Sequence, residues 1–330
     1  MTGAMTAAPL SERFLPAADR GAVLDARMHA DLAASLAHLA GATRPVDPPL
    51  AVRLSAVAQA IRAGRRLPAM GFRAYFRIAA ALLAQDRAAA AAHLAGMEAL
   101  APRATGLCVT RFGDPEADRL SLELIADGMR LAPIDAEEAR AFARLLEEGF
   151  ALMRQGLPEL HAELSGIVHE VLLARAPQGD AMEFDGASHY QFWGLLVLNP
   201  RHHRTPLAVV EVLAHEASHA LLFGLTVDEP LVLNPDEELF ASPLRPDPRP
   251  MDGIYHATYV SARMCWAMEA LAASGILDAA DRRRALAAAR KDRENHAAGQ
   301  AVLDAHGRPS ATGRRIIEAA RAWMSDGVPA

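Results

Sequence analysis

Two histidines, His215 and His219, stand four residues apart in VEVLAHEASHALLFGL (210–225), with Glu216 directly after the first. On a helix, positions four apart share a face, so both imidazoles can turn toward one divalent ion. Glu216 sits about 100° round the same helix. That keeps it from ligating the same ion, but it can stand beside an open coordination position. A zinc peptidase uses a glutamate so placed to take a proton from metal-bound water. Val209, Val210, Leu213, Leu221 and Leu222 give the motif a buried, mid-helix setting.

Two imidazoles do not hold a catalytic metal alone. A metzincin would place Gly at 222 and His at 225; Leu222 and Leu225 exclude that class. The third donor is expected from His256, early in the apolar stretch GIYHATYVSARMCWAMEALAASG, with Asp252 four residues earlier as an acceptor for its ring. Glu238 and Glu269 are the carboxylate alternatives. His202 and His203 fall in a turn and are expected at the surface, His161 and His169 on a packed helix, and His296 and His306 in solvent. These residues alone leave open a zinc metallopeptidase with Glu216 as general base, and a non-catalytic peptide-binding protein in which the motif is structural.

The tract SPLRPDPRPMDGIYHATYVSARM (242–264), following LAHEASHALLFGL, resembles the HEXXH-motif family of peptide-modification proteins associated with ribosomally made peptides. The similarity covers about residues 185–275. It implies an iron(II)- and 2-oxoglutarate-dependent hydroxylase acting on the β-carbon of a precursor-peptide side chain. His215 and His219 would be iron ligands, with the third ligand carried over onto His256. Such a site also needs a cation for the distal carboxylate of 2-oxoglutarate, which a guanidinium meets with a two-pronged contact. Arg245 and Arg249 bracket a PDP turn just before the ligand helix, and Arg263 lies two turns beyond His256 on the same face. Iron leaves Glu216 a supporting or substrate-positioning role rather than that of a water-activating base. The implied partners are the precursor peptide and other peptide-maturation enzymes.

The elements that must carry these residues read as mainly α with a small β element. Helical periodicity appears at 21–40, 50–64 and 72–101. In 135–156, Asp135 and Glu138 occupy capping-box positions and Phe142, Leu145, Leu146, Phe150 and Met153 make one stripe. PELHAELSGIVHEVLLARA (158–176) continues the pattern from a helix-opening proline. The texture then shifts to YQFWGLLVLN (190–199), the best strand in the chain. Pro206 opens the motif helix. A proline-rich crossing (234–253) precedes a helix at 253–275 and two more at about 279–304 and 312–324. This layout divides the chain into a helical region, 1–176, with substrate recognition as its expected role, and a metal-site region, 177–330. Residues 1–20 read as loosely ordered.

A formal charge of −6 argues against a nucleic-acid partner. No basic head followed by an apolar run marks a secretory signal, and every alanine run is broken by polar residues. The expectation is a cytoplasmic protein without a membrane partner, with Cys108 and Cys265 as buried free thiols.

Overall fold

The computed structural model describes Pro9 and residues 13–179, 183–242 and 247–326. Among these residues it is mainly α with a small β component: eleven helices and six short strands. Contacts group the chain into two compact units that interleave along the sequence rather than meeting near residue 176. One comprises 21–143 and 165–202, the other 1–20, 144–164 and 203–330.

The first, the sheet unit, holds α1 (Arg20–Thr43), α2 (Pro48–Arg62), α3 (Ala69–Leu83), α4 (Arg87–Glu98), β1 (Cys108–Arg111), α5 (Pro115–Ala126), β2 (Glu170–Leu173), β3 (Gly186–Ser188) and β4 (Leu195–Leu198). Strand order is β1-β2-β4-β3, with β3 antiparallel to β4 and the other pairs parallel. β4 and the last three residues of β2 are fully buried, which is why EVLL and LLVL read as unbroken apolar runs. Such a run does not distinguish a central strand from a buried helix segment. The helix expected over 158–176 therefore ends at Ile167, and Glu170–Leu173 joins the sheet. The strand expected at 190–199 shortens to Leu195–Leu198 because Gly194, at φ 89°, turns the chain just before it. The helix expected over 72–101 is two helices. Gln85 adopts φ 59° and Asp86 caps the second by accepting the Ala89 N–H at 2.9 Å.

At the centre of this unit Asp25, 6% exposed, accepts two hydrogen bonds from Arg103 (2.8 and 3.0 Å) and one from Trp193 Nε1 (3.0 Å). Burial opposes the charge, but the His169 and Arg103 contacts outweigh it and hold the carboxyl far below its ordinary range. Cys108 is exposed on the edge strand, against the expectation of burial; Cys265 is buried as expected.

The second, the histidine unit, is built from most of α6 (Ala136–Gly156), α7 (Pro158–Ile167), α8 (Pro206–Leu225), the two-residue strands β5 (Leu239–Phe240) and β6 (Arg249–Pro250), α9 (Met251–Ala273), α10 (Ala279–His306) and α11 (Ala311–Asp326). α8 is long and apolar enough to cross a membrane, but 72% of its most apolar window is buried inside the protein, as befits a core helix. Thr205 caps it by accepting the Ala208 N–H at 3.2 Å, and Pro206 fills the first turn. Two glycines set its surroundings. A Cβ on Gly149 of α6 would lie 2.4 Å from Val209 Cγ1, and one on Gly299 of α10 would lie 2.1 Å from Thr258 Oγ1 of α9. Close approach of these helix pairs thus requires glycine at both places.

A buried ion triad clasps distant segments of the same unit. Glu163 accepts from Arg20 Nε at 2.6 Å and from Arg263, while Arg263 also donates to the Phe14 carbonyl at 2.8 Å. Residues 13–20 are accordingly well anchored, not loose: Phe14 is 6% exposed and Arg20 fully buried. The rest of that N-terminal stretch, Pro9 apart, lies outside the described residues.

Candidate metal site

α8 carries His215 and His219 on one face, and α9 packs against it with His256 in its second turn. The Nε2 atoms of His215 and His219 are 3.2 Å apart. Two nitrogens held about 2.1 Å from one ion at a tetrahedral angle would be about 3.4 Å apart, so the pair is spaced as two donors to a shared cation. His256 reaches the same cluster through its Nδ1, 2.9 Å from His219 Nδ1, and its ring stacks on His219 at 5.1 Å between centroids. The three expected imidazoles are thus brought together, with His256 meeting the opposite ring nitrogen of His219 from the one that faces His215. Among the described residues no three His, Cys, Asp or Glu side chains converge as a complete metal cage.

The electrostatics favour bare nitrogen lone pairs. Burial, then the neighbouring His256 and His215 rings, hold the His219 imidazole well below the ordinary histidine range. Part of its surface reaches solvent, but protein surrounds it densely. His256, 8% exposed, is also lowered by burial, partly offset by Asp252. Both are neutral at pH 7, as metal ligation requires.

Around the imidazoles, Met264 Sδ lies 3.1 Å from His215 Nδ1, and the Phe223 ring packs 5.4 Å from that of His256. Neither was legible in the motif, although Met264 follows His256 by eight residues, little more than two turns along α9. Glu216 is 3% exposed, its Oε1 3.8 Å from His215 Nε2. Asp252 stands 3.9 Å from His256 Nε2, near the expected place but beyond hydrogen-bond reach.

The other expected residues fall elsewhere. Glu269 accepts from Arg293 at 2.9 Å, and Glu238 pairs with Arg308 at 3.2 Å, so both carboxylate alternatives serve arginines. Arg263 gives its guanidinium to Glu163 and Phe14 and is not available to a co-substrate. Arg249 pairs with Asp247 at 2.9 Å and keeps 39% of its side chain exposed. Arg245 lies outside the described residues. His296, expected in solvent, is 4% exposed and bonds through Nδ1 to the Thr258 carbonyl at 3.0 Å; His203, expected at the surface, is 7% exposed.

One turn before His215 on α8, Glu211 faces an acidic neighbour on α10. Asp292 is 5% exposed, its Oδ2 is without a hydrogen-bond partner among the described residues, and burial and then Glu211 push its carboxyl up from 3.8 to about 7. The folded protein therefore holds a proton there that the unfolded chain has released between those values. Stability should fall as pH rises through that window, by at most about 4 kcal/mol. Asp292→Asn should remove most of that slope in urea unfolding measured from pH 4.5 to 8; an unchanged slope would assign it to other groups.

In comparisons with known proteins, no family model and no curated sequence matches this chain.

Proposed function

We propose that the histidine unit is the catalytic part of an iron(II)- and 2-oxoglutarate-dependent oxygenase that hydroxylates a side chain of a ribosomally made precursor peptide in the cytoplasm. The observation that supports a metal enzyme is the meeting of His215, His219 and His256, two of them held neutral by burial, within 2.9 and 3.2 Å of their neighbours. The resemblance of the 242–264 tract supplies the choice of iron and of a peptide substrate. His215 and His219 would hold the ion through Nε2, and His256 would complete the set by a turn of its ring or of His219's.

When bound, iron(II) with 2-oxoglutarate supplies an oxidant made from dioxygen, with succinate and carbon dioxide as co-products. The chain's own groups bind, orient and shield. Met264 receives the His215 Nδ1–H, which leaves Nε2 as the metal-facing lone pair. Phe223 covers the His256 side against water. Buried Glu216 can orient a substrate amide. With Arg263 committed to Glu163, the co-substrate carboxylate falls to Arg249, or to Arg245 in the same tract.

One observation favours a second reading. Glu216 Oε1, 3.8 Å from His215 Nε2, is also suited to take a proton from a metal-bound water in a zinc peptidase. Protein purified without oxygen and loaded with iron(II) separates the two. A visible charge-transfer band on adding 2-oxoglutarate, and succinate release stimulated by a peptide encoded beside the gene, are expected. Zinc-dependent cleavage of that peptide without 2-oxoglutarate would replace the oxygenase by the peptidase. Peptide binding that survives loss of metal, with no turnover of either kind, would leave a non-catalytic binder.

A further inference from the structure

We propose that the free edge of β1 in the sheet unit receives an extended, acidic peptide segment as an added strand. β1 is terminal in the sheet. At the two ends of its ladder with β2, Cys108 N–H donates to the His169 carbonyl and Phe112 N–H to the Leu173 carbonyl, each at 2.9 Å. In a parallel ladder these alternate residues face the partner strand, so the amides of Val109 and Arg111 face away from it. By the same alternation the Val109 C=O also points away from β2, and Cys108 and Val109 are exposed. CVTR contains no lysine or proline to blunt the edge before Arg111.

Val109, Thr110 and Arg111 also line a cavity of about 370 Å³, together with Asp114, Arg140 and the small side chain of Ala139. Its volume lies in the range of ligand clefts. Added strands draw affinity from main-chain hydrogen bonds and specificity from side-chain pockets along the edge. The charge selects the occupant. Arg111 is neutralised in part by Asp114 at 2.7 Å, whereas Arg140 is exposed and makes no ion pair among the described residues. In the cavity lining two guanidiniums stand against one carboxylate, which suits an incoming acidic side chain at the Arg111 end of the strand, whereas Glu116 and Glu170 act on Cys108 at the other end. The guanidiniums also oppose edge-to-edge pairing with a second copy, which would bring the same arginines together. This binding role is independent of the metal chemistry, and it is tested on metal-free protein.

The probe is a synthetic acetyl-Thr-Val-Glu-Val-Thr-Glu amide titrated into the full-length ¹⁵N-labelled chain. The Val109 and Arg111 amides are expected to shift and gain protection from exchange, with saturation below ~1 mM. The analogue with lysine for glutamate should bind about tenfold more weakly, and Arg140→Glu should invert that preference. An analogue N-methylated at alternate residues should not bind, since it cannot complete the ladder. Equal binding of the acidic and basic peptides, or shifts that miss Val109 and Arg111, would overturn the proposal. So would concentration-dependent shifts at those amides without peptide, which would make a second copy the occupant.

Discussion

His219→Ala is expected to abolish metal capture while leaving the helical fold in place. Zinc bound by peptide sites releases about 10–16 kcal/mol over three or four protein ligands, so one ligand is worth about 4 kcal/mol, or about a thousandfold in affinity. His219 is the central ring of the cluster: its Nε2 faces His215 and its Nδ1 meets His256, so its loss separates the outer two as well. Equilibrium dialysis with iron(II) without oxygen, and with zinc, gives the affinities, while circular dichroism checks the fold. A folded variant binding either ion within tenfold of the parent would remove the metal site from the account. His161→Ala, on α7 against Phe150, should leave metal affinity unchanged.

Glu163→Gln is expected to be the most destabilising single change outside the imidazole cluster. The side chain keeps its volume and loses its charge, leaving Arg20 (fully buried) and Arg263 (2% exposed) as uncompensated buried cations. Breaking a buried pair by removing one partner costs about 3–5 kcal/mol. For a chain of this size each kcal/mol lowers the melting temperature by about 1–2 °C. Chemical unfolding should therefore show a midpoint shift equivalent to at least about 3 kcal/mol, with an unchanged denaturant slope. A loss under about 1 kcal/mol would mean that the carbonyls of Arg13, Leu15 and Phe14 satisfy the two guanidiniums without Glu163.

The parts of the molecule legible in the sequence are those with a period or a cap. α8, α9 and α10 fall within two or three residues of their expected bounds: Pro206 opens α8 as expected, α9 begins at Met251 rather than at 253 and without a side-chain cap, and Asp278 caps α10. The approach of His256 to His219 was legible because one unpaired helical motif demanded a donor and the apolar α9 offered one. Three kinds of information were not. The β2 strand lay hidden in a run of apolar residues that satisfies helix and strand equally. β1 was missed because four residues without alternation carry no period. The fate of Arg263 depended on Glu163, a hundred positions earlier, and no local pattern announces a partner so remote. His296 was misjudged for a similar reason: it follows charged residues in DRENH, and only the Thr258 carbonyl on the facing helix turns it inward.

The Glu163 clasp has a consequence for how the chain matures. It joins positions separated by 143 and 100 residues, so the closing contacts are far apart along the polymer. Entropy of loop closure makes such contacts late and slow to form. Arg20 can meet Glu163 once α7 has emerged, but the clasp closes only when α9 brings Arg263 to Glu163 and the Phe14 carbonyl, and a fragment starting near residue 177 would be born without the anion its buried Arg263 requires.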